Sequence, residues 1–368
     1  MREFKILIVL IIVVGVLYWG VEPLAHSVFH PKAAPADFEF RDLTRINLSK
    51  GNKERGEELF QANCQNCHSL KTKGFEAAMG EIEGSIVMPD LSTAGAIYDE
   101  NFLAAFIINP AQAVKLEHKD YLMPPYSPED DENLEQEVAD IVAFLKSIGE
   151  VSLKQAVNFS DEFIAKKEAI EKSTLSQSQK DEAIENTRVH LTDKVIFLDA
   201  CSRCHSIKYD EPKTPEQTAA NDKKRAEIES YLGAKAPDLS MMIRSKGEHY
   251  LEWFINDPQK KSYKEIKQAI LDADANANLS TNTKKSDWQE DEDFSNLARE
   301  MGVLPVGLSM PRVGLNEESQ KRVVRYLESI GDSKKAEREN LGVSIIIFFG
   351  VLSIFAYLWK RKKWKDLH

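Results

Sequence analysis

The sequence predicts a mainly α-helical chain of two related modules, placed between two apolar segments long enough to cross a membrane. Three observations lead to this prediction. The pentapeptide Cys-x-x-Cys-His occurs twice, at Cys64–His68 and at Cys201–His205. The stretches that follow the two copies share further matches in the same order, and the chain of 368 residues carries a long apolar run near each end.

The two pentapeptides contain every cysteine of the chain, Cys64, Cys67, Cys201 and Cys204. Two thiols one helical turn apart reach the two vinyl groups of one porphyrin, and the next residue, His68 or His205, supplies an imidazole to the iron. The motifs therefore predict two covalently attached c-type haems. A structural zinc site is the alternative, but it would need the pairs to converge and leaves both histidines unexplained. A thioredoxin-like redox pair would need a strand-rich surrounding that neither copy has.

Residues 1–24 are predicted to form an N-terminal membrane anchor. The run Ile6–Val21 is almost wholly apolar, and Tyr18 and Trp19 stand at its outer end, as aromatic residues do at membrane interfaces. A cleaved signal peptide is the alternative, because the run is slightly short. Retention is favoured because no small-x-small cleavage site directly follows the run.

The first module is predicted at residues 51–150, after a Pro- and Ala-containing tether at residues 25–50. A short amphipathic helix leads into the first motif, and another helix over Phe102–Ile108 ends at an Asn-Pro pair. A closing helix with apolar residues on one face is expected to stop at Gly149.

The second module repeats the first. Pro89-Asp90-Leu91 recurs as Pro237-Asp238-Leu239, and Asn109-Pro110 recurs as Asp257-Pro258. The two prolines are 21 positions apart in both copies. Ordered matches of this kind indicate duplication of a folding unit.

The rest of the chain divides by composition. Residues 151–188 are predicted to be a charged helical linker, and residues 189–332 the second module, enlarged by charged loops at about 207–234 and 259–304. Residues 333–368 are predicted to be a C-terminal transmembrane helix, apolar from Leu341 to Trp359, with a basic tail. The basic tail should lie in the cytoplasm and the haem modules outside.

The exported part of the chain is strongly acidic. The net charge is −11, and residues 1–5 and 360–368 carry +1 and +4, so the remainder carries −16. Such a surface repels nucleic acid and suits basic protein partners, although solubility alone would also explain it.

The repeat predicts the second axial ligands of the two irons. The candidates are the methionines of the two modules: Met79, Met88, Met123, Met241, Met242, Met301 and Met310. Only Met123 and Met310 occupy equivalent places, each before a proline and between the Asn/Asp-Pro pair and the closing helix. His118 and His249 compete for the role, but their repeat equivalents are not histidine. Irons held by His and Met have no vacant position, so electron transfer is expected and catalysis by the chain alone is not.

Helices arranged in this order around covalent haem resemble tandem class I cytochrome c domains. The stretch from Tyr18 to Phe38, with both haem domains and the C-terminal span, resembles the di-haem cytochrome c subunit of some bacterial cytochrome bc complexes. The resemblance implies a subunit that replaces cytochrome c1 beside cytochrome b and the Rieske iron–sulfur protein. It would pass electrons to a soluble cytochrome c or a terminal oxidase, on the periplasmic side of the bacterial inner membrane. A di-haem subunit of a haem–copper oxidase, a free membrane-tethered shuttle and a di-haem peroxidase are the alternatives.

Overall fold

The structure is a computed structural model that describes residues 2–21, 24, 38–79, 88–116, 122–128, 131–210, 214–258 and 310–365. Within these ranges, strand-like pairing is limited to two isolated bridges, Leu70 with Phe75 and Tyr98 with Leu315. The helices are α1 (Arg2–Val16), α2 (Lys53–Leu59), α3 (Ala94–Ile97), α4 (Glu100–Ile108), α5 (Pro110–Ala113), α6 (Leu134–Asn158), α7 (Asp161–Glu171), α8 (Gln177–Ala200), α9 (Pro215–Leu232), α10 (Met242–Lys246), α11 (Glu248–Asn256), α12 (Glu317–Gly331) and α13 (Lys335–Lys365). The predicted mainly α-helical class is confirmed.

In the first module, α2 crosses α6 at very short range because Gly56 has no side chain. A Cβ at Gly56 would lie 2.0 Å from the carbonyl oxygen of Asp140. The Asn52 side chain caps α2 by accepting the Arg55 backbone N–H at 2.9 Å. The buried Asp140 carboxylate accepts the Asn52 backbone N–H at 2.7 Å. The crossing therefore fixes the direction in which α2 delivers the chain to the first motif.

The closing helix of the first module does not stop at Gly149, so that prediction is wrong. Glycine lowers helix stability by about 1 kcal/mol relative to alanine, but α6 continues to Asn158. A Cβ at Gly149 would lie 2.4 Å from the Ala96 backbone nitrogen. The glycine is needed for this close approach of α3, and the apolar residues Leu153 and Val157 of the continued helix are buried.

In the second module, α8 and α12 take the places that α2 and α6 have in the first. The Asp193 side chain on α8 is 3% exposed and accepts two hydrogen bonds from Arg325 on α12, at 2.5 and 2.7 Å. The closing helix α12 ends at Gly331. Buried apolar residues of α8, α11 and α12 form the core of the module.

The charged stretch 207–234 was expected to be loop, and α9 corrects this. Residues 215–232 are rich in Ala, Glu, Lys and Gln, which favour helix, and Pro215 stands at the first helical position, where proline is tolerated. Charge in itself does not oppose a helix. The other proposed insertion, 259–304, lies outside the described residues, as do Met301 and His118.

The predicted linker 151–188 contains the end of α6, all of α7 and the start of α8, so the predicted limits at 150 and 188 fall inside helices. Val157, Phe163 and Leu191 bury a small core of their own. The linker is therefore helical, as predicted, and packed rather than only solvated.

The two modules are packed against each other. The Asp99 backbone N–H donates to the Gly314 carbonyl at 3.0 Å, and the Asn316 backbone N–H donates to the Ile97 carbonyl at 3.1 Å. Gly314 has φ +75°, and a Cβ there would lie 2.1 Å from the Phe102 ring. Glycine is thus required both by the backbone conformation and by the closeness of the modules.

Two helices are long and apolar enough to cross a membrane, by length and composition, at Phe4–Val21 and Asn340–Lys365. Their large apolar side chains are exposed, with Trp19 88% and Ile346 73% accessible. The helical form of both apolar runs is as predicted, and retention of the first run stays a prediction.

Candidate functional site

Both Cys-x-x-Cys-His motifs form the same tight turn at the end of a helix. A turn of π-helix, Phe60–Cys64, follows α2, and the His68 backbone N–H donates to the Cys64 carbonyl at 2.8 Å. In the second module the His205 backbone N–H donates to the Cys201 carbonyl at 2.9 Å. The four cysteines are free thiols and half-buried. Each turn thus presents two thiols and one imidazole together.

The imidazoles of His68 and His205 are fixed in one tautomer. The Nδ1 atom of His68 lies 2.9 Å from the Pro89 carbonyl oxygen, and that of His205 lies 2.9 Å from the Pro237 carbonyl oxygen. A carbonyl only accepts hydrogen bonds, so Nδ1 carries the proton and Nε2 keeps a lone pair. This is the arrangement in which a histidine binds a metal and a second group orients the ring. The residues present therefore fit a c-type haem.

Burial also favours the neutral imidazole that a metal requires. It lowers the pKa of His68 and of His205, and the hydrogen bonds to the proline carbonyls offset this only in part. Burial raises the pKa of the Cys64 thiol to about 11 and that of the Cys201 thiol to about 12. Burial thus favours the neutral thiol at both positions.

An aspartate holds each motif against the segment that orients its histidine. The Asp90 carboxylate accepts from Ser69 Oγ at 2.6 Å and from the Lys71 backbone N–H at 2.9 Å. Asp238 accepts from Ser206 Oγ at 2.8 Å and from the Lys208 backbone N–H at 3.0 Å. The repeated Pro-Asp-Leu triplet revealed the duplication, but the role of its aspartate was missed because sequence spacing does not show the hydrogen bonds.

These hydrogen bonds change the acidity of the two aspartates. Burial would raise the pKa of Asp90, but the hydrogen bonds from Ser69, Ser92 and Lys71 outweigh burial and lower it. The pKa of Asp238 is lowered in the same way. Both carboxylates are thus held ionised, which strengthens the hydrogen bonds that they accept.

The two Met-Pro segments dock on equivalent helices through the same hydrogen bond. Three residues after Met123, the Tyr126 backbone N–H donates to the Ile107 carbonyl at 3.0 Å. Three residues after Met310, the Val313 backbone N–H donates to the Ile255 carbonyl at 3.4 Å. Both acceptors lie three residues before the proline that ends their helix, and both methionines are half-buried.

Three of the other candidate methionines are more exposed, whereas Met242 is half-buried like Met123 and Met310 and packs against the core of the second module. Met79, Met88 and Met241 are 52%, 39% and 40% exposed. The His249 side chain is 92% exposed and faces Glu252 on its own helix at 3.6 Å. Within the described ranges no group of three or more His, Cys, Asp or Glu side chains is placed to hold a metal ion.

The two motifs face one cleft of about 530 Å³. From the first module it is lined by Cys67, Ser69 and Pro89, and from the second by Asp199, Ser202 and Arg203, while α9 covers a further side. Thr93 Oγ1 donates to the Asp199 carboxylate at 2.5 Å across the module border. Burial raises the pKa of Asp199, and this hydrogen bond opposes the rise.

Comparison with known proteins assigns the first module. A stretch of 153 residues is 27% identical to the ammonia monooxygenase gamma subunit of Nitrosomonas europaea and covers 39% of this chain and 60% of that protein. A stretch of 59 residues is 37% identical to cytochrome c1 of Allochromatium vinosum and covers 15% of this chain and 24% of that protein. The chain thus spans less than two thirds of either relative, and no solved structure matches it. Residues 53–149 match the family model described as Cytochrome c. They are therefore a cytochrome c domain, which binds haem c covalently and transfers electrons.

Proposed function

We propose that this chain is the di-haem electron-transfer subunit of a quinol:cytochrome c reductase. It would carry one haem at Cys64, Cys67 and His68, and a second at Cys201, Cys204 and His205. Electrons would pass from the Rieske iron–sulfur protein, which sits beside cytochrome b, through the chain to a periplasmic cytochrome c or an oxidase. The observation that carries the proposal is the duplicated set of hydrogen bonds around the two histidines.

The second haem is supported residue by residue. Each module has the same Cys-to-His turn, the same proline carbonyl on Nδ1 and the same aspartate between the serine hydroxyl and the backbone N–H. The family match covers one of the modules, so the second rests on this equivalence. Hydrogen bonds repeated around the same chemical groups support the same ligand in both.

Met123 and Met310 are proposed as the sixth ligands. The support is the equivalent hydrogen bond that seats each Met-Pro segment, together with the half-burial of both side chains. A thioether opposite an imidazole raises the reduction potential of haem iron and leaves it no open position. When bound, each haem would supply a one-electron Fe(III)/Fe(II) couple.

The arrangement of the modules supports a relay inside the chain. Because residues of both motifs line one cleft, the two attachment turns lie close together, and no carrier would be needed between their cofactors. The protein's part in this relay is to fix the two attachment turns relative to each other. The backbone hydrogen bonds between residues 96–99 and 314–316 and the pair Thr93–Asp199 do so.

The place in a membrane complex is supported by the chain ends and by the similarity to cytochrome c1. The helices Phe4–Val21 and Asn340–Lys365 would anchor the subunit. The basic residues at 360–365 would keep the tail in the cytoplasm and the modules in the periplasm of the bacterial inner membrane. A stretch of 59 residues is 37% identical to cytochrome c1, the subunit that this chain would replace.

The test is purification of the full chain from its native membrane in mild detergent. The proposal expects two haems c per polypeptide by alkaline pyridine spectroscopy, and co-purified haem b and an iron–sulfur protein. Copper with a high-spin haem would instead indicate the oxidase subunit. Purification without partners would indicate the shuttle, and peroxide turnover with a high-spin signal would indicate the peroxidase. One haem per chain would refute the di-haem assignment itself.

A further inference from the structure

The attachment turn of the second motif reaches into the site of the first. Arg203 stands between the two cysteines of the second motif, and it lines the cleft together with Cys67 and Pro89 of the first module. Pro89 is the residue whose carbonyl orients His68. A cation of the second module thus lines a cleft beside the residues that orient His68 in the first.

One contact of Arg203 and one contact of a residue before it join the second attachment turn to the first module. The Tyr98 hydroxyl of the first module accepts a hydrogen bond from Arg203. Four residues earlier, the Asp199 carboxylate accepts from Thr93 Oγ1 at 2.5 Å. The start and the middle of the second attachment turn are therefore joined to the first module, and Arg203 lines the cleft between the modules.

We propose that Arg203 is a positioning residue for the first haem, whose reduction potential it raises from across the module border. Reduction removes one positive charge from the iron, so a fixed cation nearby favours the reduced state. A guanidinium is always charged, and a cleft between two packed modules screens it less than open solvent. The effect on the first haem does not depend on the proposed relay. Only its consequence rests on the proposed function: within the relay, an electron is drawn toward the first haem.

The test is a potentiometric titration of the purified full-length holoprotein, followed in the haem absorption bands. Arg203→Gln should lower the midpoint potential of the first haem by at least about 28 mV. For a one-electron couple this shift is a threefold decrease in the equilibrium constant for reduction. Arg203→Lys keeps the charge and should restore most of the potential. Asp90→Asn, which removes a negative charge beside His68, identifies the transition of the first haem by raising it.

Two controls separate charge from structure. Tyr98→Phe removes the hydrogen bond but keeps the cation, so it should move the midpoint less than Arg203→Gln does. Lys172→Gln removes an exposed cation on the linker and should leave both midpoints unchanged. A midpoint unaltered in Arg203→Gln, or lowered equally in Arg203→Lys, would overturn the inference.

A further variant separates the effect of Arg203 on the first haem from the proposal that the chain carries a second haem. In a chain with Cys201→Ser and Cys204→Ser, the first haem alone remains, and Arg203→Gln should still lower its midpoint. A haem count of one in the unaltered chain would refute the second haem but leave this measurement valid. Two haems with no shift would instead refute the role of Arg203 alone.

Discussion

The Asp90 side chain should contribute most to the stability of the first attachment turn. Its carboxylate accepts three hydrogen bonds: from Ser69 Oγ at 2.6 Å, from the Lys71 backbone N–H at 2.9 Å and from the Ser92 backbone N–H at 3.0 Å. A hydrogen bond contributes about 1 kcal/mol net, and the larger values for charged acceptors do not apply in full to a half-buried side chain. Asp90→Ala should therefore cost about 3 kcal/mol of local stability.

Amide hydrogen exchange of the holoprotein measures this loss where it occurs. A drop of about 3 kcal/mol corresponds to exchange about 100-fold faster in peptides that contain residues 69–79 and 88–92. The exposed Glu58 on α2 provides the control, because Glu58→Ala should change exchange less than threefold. If Asp90→Ala behaves like this control, the aspartate is not what holds the turn.

The remaining predictions concern the methionines, acid stability and the helix crossing. Met123→Ala and Met310→Ala should each remove half of the near-infrared sulfur-to-iron band of the oxidised protein, and an intact band in either variant would refute that ligand. Because the folded-state pKa of Asp90 lies below its usual value of 3.8, its contribution to stability should be complete above about pH 4 and be lost as the pH falls through the lowered value. Acid titration of the exchange rates checks this, and Asp238 should behave alike. Gly56→Ala should destabilise the first module by about 1–3 kcal/mol, because the added Cβ would lie 2.0 Å from a carbonyl oxygen of α6. Denaturant unfolding followed by haem absorbance measures the loss, and a change below 0.5 kcal/mol would show that the crossing relaxes at little cost.

Local chemistry made much of the site predictable. The Cys-x-x-Cys-His spacing predicts two thiols and an imidazole presented together, and the helix predicted at Phe102–Ile108 lies within α4. The prediction that the closing helix stops at Gly149 was wrong because helix propensity is a local preference. The close approach to Ala96, which favours glycine within the helix, joins residues far apart in sequence.

The contacts between the modules could not be predicted from the sequence for the same reason. Thr93 and Asp199 are 106 residues apart in sequence, and neither belongs to a motif from which their contact could be predicted. The same holds for Arg203, which looks like an unremarkable spacer between two cysteines. The shared cleft is thus a property of how the repeats pack, while the repeats themselves could be recognised from the sequence.

The unbroken course of α6 past residue 150 bears on how far the two modules can move relative to each other. Hinges normally lie in loops or at the ends of secondary-structure elements, and here the end of the first module is mid-helix. Because backbone hydrogen bonds also join the modules, the two modules are held in a fixed position relative to each other. If the chain transfers electrons as proposed, any movement that brings a partner to the haems must come from outside these two modules.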